Sequence, residues 1–150
     1  MSSETDWQRT LLAQCDKDLD EIYHAYASSH SLSDVAIFIL YVLWDIGEGC
    51  TQSDICDLWS YTRQTVNSAL KKLEKDGYIR LMAMAGNKKS KGIVLTRTGK
   101  KLAKEVVAPF ISAENAAFAA MEEEELALLV KLTQKRVSLL RTELAKLPWR

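Results

Sequence analysis

Gln64, Asn67, Ser68, Lys71 and Lys75 fall on one side of a helix when each residue advances by about 100°. Val66, Ala69, Leu70 and Leu73 take the opposite side. One face therefore packs, and the other presents amides, a hydroxyl and amines with no acid among those five. Amides and hydroxyls hydrogen-bond to base edges, while amines and guanidinium groups neutralise phosphates. Thr62, Arg63 and Thr65 open this segment. Lys72 belongs to it, and Lys88, Lys89, Lys91 and Arg97 follow shortly after it.

The whole-chain charge hides this concentration. Residues 63–104 carry twelve bases against two acids, residues 1–62 eleven acids against two bases, and residues 105–150 seven acids against six bases. The formal total is zero. A neutral chain with all of its positive excess in one middle segment attracts polyanions there, with a salt-sensitive strength. A lysine-rich face that is merely solvated, or one that docks an acidic protein, has the same composition.

The elements that must hold these residues can be read from spacing. Trp7, Leu11, Ala13, Leu19, Ile22, Tyr23 and Tyr26 predict a helix over 6–29. Val35 to Ile46 predict a central helix, capped by Ser31 or Ser33 and ended at Gly47-Glu48-Gly49. Thr51 and Asp54 have the form of a capping box opening a short helix, with Ile55 and Leu58 inward. Trp59-Ser60-Tyr61 reads as a turn, Thr62 as the cap of the next helix to about Lys75, and Gly77 as its stop. The period then changes to that of strands over Tyr78–Met84 and Ile93–Thr96, with Gly86 to Gly92 as a basic turn between them. Thr96 or Thr98 caps a long helix to about Ala120, which Pro109 should kink or interrupt. Glu122 to Glu125 open a last helix that carries apolar residues through Leu147.

Several function classes find no support. There is no glycine-rich cofactor loop, no Ser-His-Asp set and no paired carboxylate site, so no enzyme is expected. Cys15, Cys50 and Cys56 are odd in number, and with His24 and His30 they match no metal spacing; no metal and no cofactor are expected. The acidic start is unlike a secretory signal. The longest apolar run, Val35 to Trp44, is half of the roughly 20 residues a membrane span needs, so a reducing cytoplasmic setting without membrane contact is expected.

Thr51–Leu58, Thr62–Gly77, the hairpin and Leu95-Thr96-Arg97-Thr98-Gly99 together resemble the MarR (multiple antibiotic resistance regulator) family of winged helix-turn-helix regulators. The motif Thr65-Val66-Asn67 and then Leu73-Glu74-Lys75-Asp76-Gly77-Tyr78-Ile79, followed by Val94-Leu95-Thr96 and Gly99, is fairly specific. The resemblance implies a mainly α (α+β) chain of one domain. Residues 33–98 would form a winged-helix lobe that binds double-stranded DNA. Residues 1–32 and 99–150 would form the dimerisation helices of a homodimer, with Trp7, Leu11, Leu126, Leu129, Leu140 and Leu144 at the interface. It also implies a small-molecule effector between the lobes, for which Tyr23, Tyr26, His30, Phe38, Trp44 and Phe110 are the aromatic candidates. The DNA set is Thr62, Arg63, Gln64, Thr65, Asn67, Ser68, Lys71, Lys72, Lys88, Lys89, Lys91 and Arg97. A peroxide-sensing Cys15 is the other reading the resemblance raises, but Asp16 beside it disfavours a thiolate. One departure stands out. The family wing commonly carries Asp-x-Arg, where this chain has Asn87-Lys88-Lys89. Lysine keeps the charge but lacks the planar fork of arginine, and Asn87 supplies no charged brace.

Overall fold

The computed structural model describes residues 4–47, 49–59, 61–84 and 87–148, and for 87–90 the backbone alone. Among the described residues, six helices and three strands follow in the order α1 (Glu4–Ser29), α2 (Asp34–Asp45), β1 (Cys50–Thr51), α3 (Gln52–Trp59), α4 (Arg63–Lys75), β2 (Ile79–Met84), β3 (Asn87–Leu95), α5 (Arg97–Ala119) and α6 (Glu123–Leu144). The chain divides into two compact units, residues 1–109 and 110–150, with the boundary beside Pro109. No single helix among the described residues is long and apolar enough to cross a membrane.

The first unit is built on α2. Ser33 Oγ accepts from Ala36 N at 3.2 Å and starts the helix. Ala36, Ile39, Leu40 and Leu43 then form a three-four stripe and are buried. Against α2 pack Val66, Leu70 and Leu73 of α4, and nearby Ile55 of α3, Ile79 and Ile93 of the sheet, and Val106 and Val107 of α5 complete the core. Each fully buried aliphatic side chain here contributes about 1.5–3 kcal/mol relative to exposure. The helix α1 buries only Ala27, but it is tied down at its end. Tyr26 Oη donates to the Val106 carbonyl at 2.7 Å, and His24 Nδ1 sits 3.0 Å from the Asp34 carboxylate.

α4 ends as its sequence predicts. Gly77 takes φ +77°, a left-handed conformation that glycine reaches without a Cβ penalty. This lets Tyr78 N donate to the Leu73 carbonyl at 2.9 Å and Gly77 N to the Glu74 carbonyl at 3.0 Å, the paired bonds that close a helix at a glycine. The chain turns there directly into β2.

The sheet is antiparallel in the order β1-β3-β2. In β1, Cys50 pairs with Ile93 and Thr51 with Gly92. The β2–β3 hairpin runs from Ile79↔Leu95 to Ala83↔Lys91, with an irregularity between Ala83 and Met84.

Several details differ from the sequence reading. The strand β1 was not expected: two residues are too few to show a period, and only pairing with β3 makes them a strand. The basic turn expected over Gly86–Gly92 is already strand from Asn87 onward, because the ladder to β2 extends along it despite its lysines. Trp59 closes α3 instead of opening a turn, and Leu58 is 50% exposed rather than inward. Pro109 does not end α5, which runs on to Ala119; the missing N–H removes one bond without breaking the helix. Leu147 lies beyond α6, which stops at Leu144.

The second unit holds the end of α5 and α6. Glu122 and Glu125 form a reciprocal capping box at the start of α6, with Glu122 N donating to Glu125 Oε2 at 3.1 Å. The three acids of the first turn suit the positive end of the helix. No residue of α6 is buried within the chain.

Candidate nucleic-acid interface

α4 is held at its start by Thr62, whose Oγ1 accepts from Thr65 N at 3.1 Å and lies 2.8 Å from Thr65 Oγ1. These two residues of the DNA set thus serve the helix first. α3 is locked beside it, since Gln52 Nε2 donates to the Arg63 carbonyl at 2.9 Å. At the start of α3, Thr51 Oγ1 accepts from Asp54 N at 3.2 Å, and Thr51 N and Oγ1 each donate to Asp54 Oδ2 at 2.7 Å. The Thr51 backbone bond, followed by its hydroxyl bond, holds the Asp54 carboxyl below the usual range.

A cavity of about 410 Å³ opens between α4, the start of α3 and the sheet. Its α4 wall is Arg63, Asn67, Leu70, Lys71 and Glu74; its α3 wall is Gln52 and Ser53; its sheet wall is Thr51, Leu81, Lys91 and Ile93. Three cations, from α4 and β3, and two half-buried amides, Asn67 of α4 and Gln52 of α3, therefore converge from three elements on one concave surface. The register explains the sheet wall. Leu81 pairs with Ile93 and Ala83 with Lys91, so these residues share the sheet face that looks toward α4.

The other residues of the DNA set are placed differently. Gln64 is exposed, and its carbonyl accepts from Ser68 Oγ at 2.9 Å, which leaves the serine lone pairs outward. Lys72 pairs with Asp76 at 3.0 Å, both exposed, a contact of little energetic weight. Arg97 is exposed at the start of α5 and does not line the cavity. The side chains of Lys88 and Lys89 lie outside the described residues.

Gln52, Ser53 and Glu74 were missed by sequence reasoning. The signal for Glu74 was present: Arg63, Asn67, Leu70, Lys71 and Glu74 follow at helical spacing on the flank beside the polar face. Gln52 and Ser53 carried only a capping signal, and no local pattern joins them to α4.

The aromatic candidates form separate groups. Tyr26 and His30 make an edge contact at 4.8 Å, and burial pushes the Tyr26 phenol up. Phe38 meets Trp59 at 3.9 Å, Tyr61 at 5.9 Å and Tyr41 at 6.2 Å. The Tyr61 phenol is raised by burial, then by Asp34 and Asp20. Tyr23 and Trp44 are exposed, and Phe110 belongs to the second unit. Trp7, Leu11, Leu129, Leu140 and Leu144 are exposed within the chain, and Leu126 is half-buried.

Residues 30–88 match the model of the MarR family. No curated protein matches the chain. Solved structures do. The S. aureus MepR–DNA complex is similar at 23% identity and a TM-score of 0.76, covering 92% of this chain and 99% of that one. A MarR family regulator from Neisseria meningitidis is similar at 20% identity and a TM-score of 0.77, covering 93% and 97%. BpsR of Bordetella bronchiseptica, whose DNA binding is regulated by 6-hydroxynicotinic acid, is similar at 18% identity and a TM-score of 0.70, covering 91% and 97%. At these identities the likeness is one of fold.

Proposed function

We propose that this chain, whose residues 30–88 match the model of the MarR family, is a sequence-specific DNA-binding transcription regulator, a repressor that acts as a homodimer in the cytoplasm and is released by a small-molecule effector. The observation that carries the reading is the cavity between α4 and the sheet. Arg63, Lys71 and Lys91 can take phosphates there while Asn67 reaches a base edge. MepR has been solved on DNA, which supports α4 as the helix that enters the major groove. BpsR responds to a small aromatic acid, which supports an effector for this chain. The exposed leucines of α6 and the exposed Trp7 and Leu11 of α1 support a second copy as the partner of the terminal helices. Two copies would set their α4 helices in successive major grooves, roughly 34 Å apart, on a pseudo-palindromic site.

The test is fluorescence anisotropy of the purified chain on DNA flanking its own gene and on a scrambled duplex, over a salt series. The reading predicts preference for the first DNA and a steep loss of affinity with salt. Equal weak binding to both, or none, overturns it and points instead to an acidic protein as the partner of the basic surface.

A further inference from the structure

We propose that Glu74 is a specificity-determining residue of this interface. Its carboxylate weakens the hold of the groove on any DNA and accepts a hydrogen bond from a base amino group when the correct sequence is present. The inference rests on the DNA-binding reading above and adds a residue to it.

Only two acids occur in the basic segment 63–104, Glu74 and Asp76. Asp76 is engaged with Lys72 at 3.0 Å. Glu74 instead lines the cavity, where Arg63, Lys71 and Lys91 also stand. Its carboxylate has neither an ion-pair nor a hydrogen-bond partner among the described residues. An exposed acid in a groove lined by three cations lowers affinity for every polyanion, because it repels each phosphate that the cations attract. That cost is recovered only where the DNA offers a donor. In the major groove the cytosine N4 amino group is the natural partner of a carboxylate. In the major groove guanine and thymine offer the carboxylate no donor, and adenine offers its N6 amino group only beside the N7 acceptor that repels it, so the wrong sequence is penalised rather than the right one merely favoured. Asn67 and Lys71, on the same wall, supply the attraction against which this repulsion discriminates.

The experiment selects duplexes from a random-sequence pool with the full wild-type chain and repeats the selection with Glu74→Gln. Anisotropy on the selected and a scrambled duplex follows. Glu105→Gln serves as a control, since it removes the same charge from α5 outside the cavity. The proposal expects Glu74→Gln to bind scrambled DNA about 3- to 10-fold more tightly and to lose preference at one C·G position per half-site, with Glu105→Gln leaving both unchanged. Glu74 is exposed, so thermal unfolding of the variant should match wild type. An unchanged sequence preference for Glu74→Gln overturns the proposal, as does an equal fall in affinity for both duplexes. A wild-type chain that selects no sequence at all overturns the DNA reading itself, before any variant is compared.

Discussion

Gly99 in the first turn of α5 lies so close to Tyr78 that a Cβ at this position would overlap the Tyr78 carbonyl oxygen. The approach is enforced by Thr96. Its backbone N–H donates to that same carbonyl at 2.9 Å, and its Oγ1 donates to the Gly77 carbonyl at 2.6 Å while accepting from Gly99 N at 3.0 Å. The start of α5 is thus clamped to the turn that ends α4. The position of the helix proposed to read DNA depends on a hydroxyl and on a missing methyl.

Gly99→Ala must therefore push α5 away from backbone, which cannot yield as a flexible side chain would. Overpacking of this kind typically costs about 1–3 kcal/mol. Urea unfolding should show at least that loss, whereas Thr98→Ala, at an exposed position beside it, should stay within about 0.5 kcal/mol of wild type.

Thr96→Val keeps the shape and removes the hydroxyl. It leaves Gly99 N without its cap, and the Gly77 carbonyl loses its partner. A loss of about 1–3 kcal/mol is expected, with Thr96→Ser recovering most of it. Equal unfolding midpoints for the valine and serine variants would show that the hydroxyl network contributes nothing.

Asp54 makes stability depend on pH in a known direction. Its folded carboxyl is held below the ordinary range by the Thr51 backbone and hydroxyl bonds. The stabilisation is therefore fully present above about pH 4, the unfolded value, and fades as pH falls through the lower folded value. Asp54→Asn should lower the melting temperature at pH 7, and the gap to wild type should shrink below pH 4. A gap constant from pH 7 to pH 3 would contradict this linkage.

Lys91 faces the cavity from β3, while Lys101 lies on α5 near Glu105 at 3.9 Å. Lys91→Gln should weaken binding to all DNA sequences and reduce the slope of log affinity against log salt by about 1. Lys101→Gln should leave the slope unchanged. Identical slopes for Lys91→Gln and wild type would remove Lys91 from the phosphate contacts.

Leu140 is 57% exposed within the chain, on a helix with no buried residue. If a second copy covers α6, Leu140→Glu buries a charge at that interface and should shift sedimentation from dimer to monomer at micromolar concentration. An unchanged dimer would place the interface elsewhere on the chain.

The exposed face of α4 was legible in the sequence because helical periodicity is local. Val66, Leu70 and Leu73 announce which side of α4 is buried, and that assignment leaves Gln64, Ser68 and Lys71 outward. Thr62, Ser33 and Gly77 mark helix ends through bonds made within a few residues of themselves. Gln52 and Ser53 were not legible as site residues, because their neighbours in the cavity are ten or more positions away on α4 and β3.

Spacing and interactions between near neighbours were enough to specify the helices α1 to α6, the two longer strands, the buried face of α4 and the middle segment in which positive charge gathers. Only the tertiary structure decided that Cys50–Thr51 is a strand, that Leu81, Lys91 and Glu74 look onto the same groove, and that Gly99 is required by the Tyr78 carbonyl. Those relations join residues distant in the chain. They follow from strand register and from close backbone approach, which leave no periodic trace in the residues that make them.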